Sequence, residues 1–139
     1  MTTQSVSRAN AQLQKAARGV VMMLAIEFLL GMAVNFIGLP DEATGSVKVV
    51  TGILLGLHIL VGIGLLVSAI MATRASRSFD GSLRNLVRFG GAGIGITFVF
   101  GVLTVATGSD WWSYLMGVGF IGSLLIYGKI LLRVRTNVA

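Results

Sequence analysis

Four long apolar runs divide the chain, at residues 19–38, 49–72, 89–107 and 111–132. Each is near the ~20 residues that an α-helix needs to cross a hydrocarbon core about 30 Å thick. Polar breaks separate them. Residues 39–48 hold the chain's only proline, Pro40, and then DEATGS, which suits a solvated turn. Residues 73–86 are basic, with Asp80-Gly81 marking a turn. The third break, at 108–110, is so short that it forces the last two helices into an antiparallel hairpin. Residues 1–17 are polar and alanine-rich and are expected to form a short helix on the inner membrane surface. The pattern predicts one all-α integral membrane domain over residues 1–139, with four transmembrane helices in an up-down-up-down bundle.

Composition agrees with that pattern. Of 139 residues, 55% are hydrophobic and 12% charged, about half the ~25% typical of soluble domains. The net charge of +6 raises the question of nucleic acid, and its placement answers it. Arg8, Lys15 and Arg18 precede the first run. Arg74, Arg77, Arg84 and Arg88 lie in or beside the second break. Lys129, Arg133 and Arg135 close the chain. These are ten of the eleven basic residues, and all fall on one side; only Lys48, beside Asp41 and Glu42, falls on the other. The positive-inside rule makes the basic side cytoplasmic. The expectation is a multi-pass cell-membrane protein with both termini inside, no nucleic-acid partner, and attraction to anionic lipid at the inner face. The first run has the charge flank of a signal peptide but no clear small-residue cleavage site, and it reads as an uncleaved helix. Trp111, Trp112 and Tyr114 are expected at the outer headgroup level, with Tyr127 and Lys129 at the inner edge. Without cysteine, disulfides, thiolate metal sites and covalent c-type haem attachment are excluded. One histidine does not make a conventional zinc site.

A weak internal repeat runs at an offset of 70 residues. Arg18, Ile26, Phe28, Gly31 and Gly38 face Arg88, Ile96, Phe98, Gly101 and Gly108, five identities in the 21 aligned positions. This suggests a tandem, parallel duplication of a two-helix unit. Glu27 aligns with Thr97, so the second unit lacks the carboxylate. The chain has nineteen glycines. Gly52/Gly56 and Gly91/Gly95 form GxxxG pairs, and Gly119/Ser123 is a looser version. Glycine lets helix backbones approach closely in lipid. These positions read as packing within the bundle, or as an interface with a second copy or a membrane partner subunit.

Two ionisable residues lie inside apolar runs: Glu27 in EFLLGMAVNFIGLP and His58 in LLGLHILVG. Counting 1.5 Å per residue, Glu27 sits about 12 Å into the first helix, and His58 about 13–14 Å from the outer end of the second. Both therefore fall near mid-membrane, at similar height, on helices expected to be neighbours. An ionisable group there costs about 2.5–3.5 kcal/mol on the insertion scale, and is functional by default. The alternative is a neutral hydrogen bond that locks two helices together. Asn35, two turns outward of Glu27, either extends a polar path or sits at the interface. Gly31 lies one turn from Glu27, and Gly62 one turn from His58. These gaps admit a neighbouring helix or a flat ligand.

The run EFLLGMAVNFIGLP followed by LHILVGIGLLV resembles a helix pair of haem A synthase. That family shows Gln-x-LLGG-x-x-V…G-LP, an outer loop, then Leu-His at the head of an apolar helix. The resemblance covers about 45 residues, roughly a third of the chain. It implies haem b as a cofactor and His58 as an axial ligand, with Gly31 at a motif glycine and Glu27 where the family usually has Gln. The family's Glu-x-x-His-Arg motif, which carries the partner ligand, is missing. The opposite ligand is then a methionine such as Met116, or His58 of a second chain. Met22, Met23, Met32 and Met71 are the other candidates.

Three functions remain in view. One is an accessory or scaffolding subunit of a larger membrane assembly, consistent with the small size, short loops and glycine-rich faces. Another is a haem-b-associated membrane protein, for electron transfer or haem handling, in which Glu27 orients the His58 imidazole. The third is a proton-coupled small transporter using Glu27. It resembles the small multidrug-resistance exporters in its lone membrane carboxylate, and departs from them in its strong charge bias and missing motifs. No Ser-His-acid set accompanies His58. Gly90-Gly91-Ala92-Gly93 opens a helix rather than following a strand, so it is not a phosphate loop.

Overall fold

The computed structural model describes the backbone of residues 3–38, 40, 43–79 and 81–136. Asp41, Glu42, Asp80 and the Arg135 side chain, assigned above to loops or the basic face, lie outside the described residues. The described chain forms four helices: α1 (Thr3–Ile37), α2 (Gly45–Ala75), α3 (Gly81–Thr107) and α4 (Asp110–Thr136), with a 3₁₀ turn at Ser76–Ser78. There are no strands among the described residues. All four helices are long and apolar enough to cross a membrane.

Helix is the only local structure that these runs can hold in lipid, because it satisfies every backbone group within the segment. Glycine closes two of the helices. Gly38 and Gly108 take left-handed φ values of 93° and 64°. Each donates its N–H to the carbonyl four residues back, on Val34 and Thr104, at 2.9 Å. A side chain resists that conformation, so glycine is the natural stop. The two stops are the 70-residue pair noted in the sequence.

Each helix contacts its two neighbours in the cycle α1–α2–α3–α4–α1. Partner residues run in opposite directions along each consecutive pair. Gly31 meets His58, Gly62 meets Glu27 and Gly64 meets Met23; Gly91 meets Thr73; Gly90 meets Tyr127 and Gly101 meets Met116. Buried residues recur at three- and four-residue steps: Leu13, Ala17, Val20, Leu24, Glu27 and Val34 on α1, and Leu83, Val87, Ile94 and Thr97 on α3. Such a stripe is a helix seam. The opposite faces are apolar and uncovered, with Leu60 64%, Phe89 70% and Leu125 70% exposed, a surface suited to lipid.

Three expectations need correction. Residues 3–17, the described part of the polar segment 1–17, are not a separate surface helix. They continue α1 without a break, because no proline interrupts it and Asn10, Leu13 and Ala17 extend its buried stripe. Tyr127 does not present its ring outward. It is fully buried, its ring packed over Gly90, where an added Cβ falls 2.8 Å from Tyr127 Cε2. Gly52, Gly56 and Gly95 do not pack within the bundle. A Cβ at each meets nothing within 4 Å among the described residues, because Gly52 and Gly56 lie on the side of α2 away from the seam through Gly62 and Leu65. Of the six glycines expected to pack, Gly31, Gly62 and Gly91 do so.

Gly90→Leu is expected to lower the unfolding free energy in detergent by about 1–3 kcal/mol, the usual cost of overpacking. Gly56→Ala should leave it within about 0.5 kcal/mol. Chemical denaturation followed by circular dichroism distinguishes the two.

Candidate functional site

The four seams change character along their length. At the end holding the α1 N-terminus they carry bulk: Leu13, Val20, Leu24, Leu65, Val87, Ile94, Tyr127, Ile130 and Val134, which form one core cluster. Toward the other end the same seams carry Gly31, Gly62, Thr97, Gly101 and Ser113. Small and polar residues cannot fill the space between helices held apart by the larger ones. The result is a cavity of about 500 Å³ lined from all four helices, reaching from the Leu24–Leu65–Ser123 level to the helix ends at Gly38, Gly108 and Asp110.

Glu27 sits at the floor of this hollow. It falls fourteen residues after Leu13, so helix periodicity alone turns it inward. Only 4% of it is exposed. Its Oε1 lies 3.2 Å from His58 Nδ1. Reciprocal glycines make the approach possible. A Cβ on Gly62 would come within 2.9 Å of Glu27 Oε1, and one on Gly31 within 3.1 Å of the His58 ring at Cε1. The gaps beside Glu27 and His58 are thus filled by each other's side chains. The contact is close but poorly aligned. His58 Nδ1 makes no directed hydrogen bond, and Glu27 Oε2 has no partner among the described residues. Buried polar atoms are rarely left so.

The other expected residues separate. Asn35 lines the cavity nearer its open end, and Met116 lines it from α4. Met22 and Met71 are 66% and 60% exposed, and Met23 packs on α2, accepting a hydrogen bond from Ser68 Oγ at 3.2 Å. Met116 is the one methionine on the cavity wall among the described residues. Thr97, Phe98, Ser113 and Phe120 also line it, and sequence reasoning gave them no role; Ser123, expected only as a helix-packing position, lines it too. A signal was present: Ser113, Met116, Phe120 and Ser123 recur at seam spacing, and Thr97 is the repeat counterpart of Glu27. The lining holds no Lys or Arg among the described residues, and Glu27, His58 and Asp110 are its ionisable groups. Among the described residues no three His, Cys, Asp or Glu side chains cluster to hold a bare metal ion.

A second groove, of about 300 Å³, opens between α1 and α4 and shares Glu27, Asn35, Ser113, Met116 and Phe120 with the cavity. The helix pairs α1–α2 and α3–α4 also share a contact register. Glu27 packs over Gly62 as Thr97 packs over Gly119, and His58 packs over Gly31 as the Met116 sulfur packs over Gly101. His58 and Met116 therefore hold equivalent stations on α2 and α4, and both face the cavity.

A double-mutant cycle on Glu27→Ala and His58→Ala should give a coupling energy of about 0.6–1.7 kcal/mol, the range for polar pairs between membrane helices. Strictly additive losses would mean that the two groups do not interact. Compared with protein-family models, curated proteins and solved structures, the chain matches none.

Proposed function

We propose that the chain is a small multi-pass membrane protein, with both termini cytoplasmic, that binds haem b between its four helices and serves electron transfer or haem handling. The orientation follows from the one-sided placement of basic residues. The paired contact registers support descent from a duplicated two-helix unit. The observation that carries the haem reading is the matched placement of His58 and Met116 on one cavity wall and its opposite.

The residues suit the group. Imidazole and thioether are an established axial pair that raises the haem potential. A histidine that ligates iron through one nitrogen offers the other to a carboxylate, which fixes ring orientation. Here Nδ1 faces Glu27, so His58 would hold the group through its other nitrogen. Glu27 thereby holds the ring, and Gly31 leaves room for it. Bound haem supplies one-electron redox chemistry. Among the described residues, the cavity wall offers no Lys or Arg to the group's carboxylates. Phe98 and Phe120 add aromatic surface to the lining.

Protein purified in mild detergent and supplemented with haem should show a Soret band and a low-spin spectrum. His58→Ala should abolish the band. Met116→Leu should retain haem but lose the six-coordinate signature. A wild-type protein with no Soret band after supplementation contradicts the reading.

A second reading draws on a separate observation. Gly52 and Gly56 face outward with open space beside them, which favours a helix-contact face for a second copy or a partner subunit of a larger assembly.

A further inference from the structure

We propose that the groove between α1 and α4 binds the ring of a bilayer-dissolved quinone or hydroquinone, hydrogen-bonded by Glu27 Oε2. This goes beyond the haem reading and does not depend on it.

The groove is a side entrance to the central cavity. Its lining includes Phe28, Met32 and Tyr114, which are 45%, 38% and 64% exposed, so it opens on the uncovered apolar surface of the bundle. A molecule using that opening arrives from the hydrocarbon, so it is apolar and neutral; a charged one pays the cost of entering the membrane core. The wall suits a flat ring. Phe120 and Tyr114 contribute aromatic surface, and Met32 contributes a thioether, which packs well on ring edges.

Hydrogen bonding selects within that class. Glu27 Oε2 is buried without a partner among the described residues and belongs to a side chain lining both groove and cavity. A carboxyl accepts a hydrogen bond in either state and donates one when protonated. A quinone carbonyl needs a donor, and a hydroquinone hydroxyl offers one. One oxygen therefore serves both forms of the couple. Farther up the groove, Asn35 and Ser113 add further polar groups to its wall. A phosphate headgroup or a fatty-acid carboxylate has no match, since the groove carries Glu27 and Asp110 and no cation among the described residues.

The full-length chain in lipid nanodiscs, without haem, tests this with a decyl-chain benzoquinone that quenches tryptophan. Trp111 reports on the site, because it stacks on Tyr114 with ring centroids 5.8 Å apart. Saturable quenching is expected. Glu27→Leu should weaken binding by about tenfold, the worth of one hydrogen bond to a carboxyl group. Glu27→Gln, which keeps a donor and an acceptor, should stay within about threefold of the wild type. Gly117→Leu, which adds bulk to the groove wall, should weaken binding with no change in helical content. Quenching that rises without saturation and is equal in all variants overturns the proposal. So does competition by tetraphenylphosphonium that is lost in Glu27→Gln, since that marks a cation site. A missing Soret band leaves these results intact, so the two readings fail separately.

Discussion

A carboxyl group held in hydrocarbon must find its partners inside the protein, because the bilayer offers none. That constraint organises this bundle. Glu27 stands on the same seam as Leu13, Val20 and Leu24, so the periodicity that builds the core also delivers an acid into it. The imidazole across from it is accommodated by Gly31, and the carboxyl by Gly62. Lipid tails are as apolar as leucine, so burial from water does not hold such helices together. Close packing must do so, and the packed half lies around Tyr127, Ile130 and Leu13. The other half is free to stay hollow.

Much of the architecture was legible in the chain. Long apolar runs and a short third loop specified four helices, and the rise per residue placed Glu27 and His58 at one height. What was not legible has physical causes. Hydropathy averages over a window, so it missed that Asn10, Leu13 and Ala17 extend the α1 seam through a polar segment. A GxxxG pair says that two backbones can approach closely, but not which face of the helix looks inward; Gly52 and Gly56 look outward. An aromatic residue near a helix end suits an interface or a core equally well, and the space above Gly90 decided for Tyr127. The hollow itself depends on four seams losing bulk at the same level, which no single run reveals. The 70-residue repeat held more information than its five identities suggested, since it paired Glu27 with Thr97 and Gly31 with Gly101.

The site gathers its groups from all four helices but satisfies them incompletely. One oxygen of Glu27 lacks a partner among the described residues, and the contact with His58 is off-line. A clasp that merely joined α1 to α2 would gain from full satisfaction, and it would not need a 500 Å³ hollow beside it. Unfilled hydrogen-bonding capacity among the described residues, His58 and Met116 on the cavity lining, and a groove between α1 and α4 are the observations on which the two proposals rest. The haem and quinone readings assign different groups to different parts of this space: the axial donors to the centre, and the free carboxyl oxygen to the α1–α4 side.

The central claim is that the acid and the imidazole meet within the bundle, and the single histidine makes it directly measurable. Solid-state NMR of protein in lipid, carrying ¹⁵N-histidine and ¹³C-glutamate, reports dipolar transfer between the His58 ring nitrogens and a glutamate side-chain carbon. The account predicts transfer to Nδ1 at short mixing times that disappears in Glu27→Gln prepared with the same labels. No transfer, with a His58 ring exchanging freely with bulk water, would contradict it.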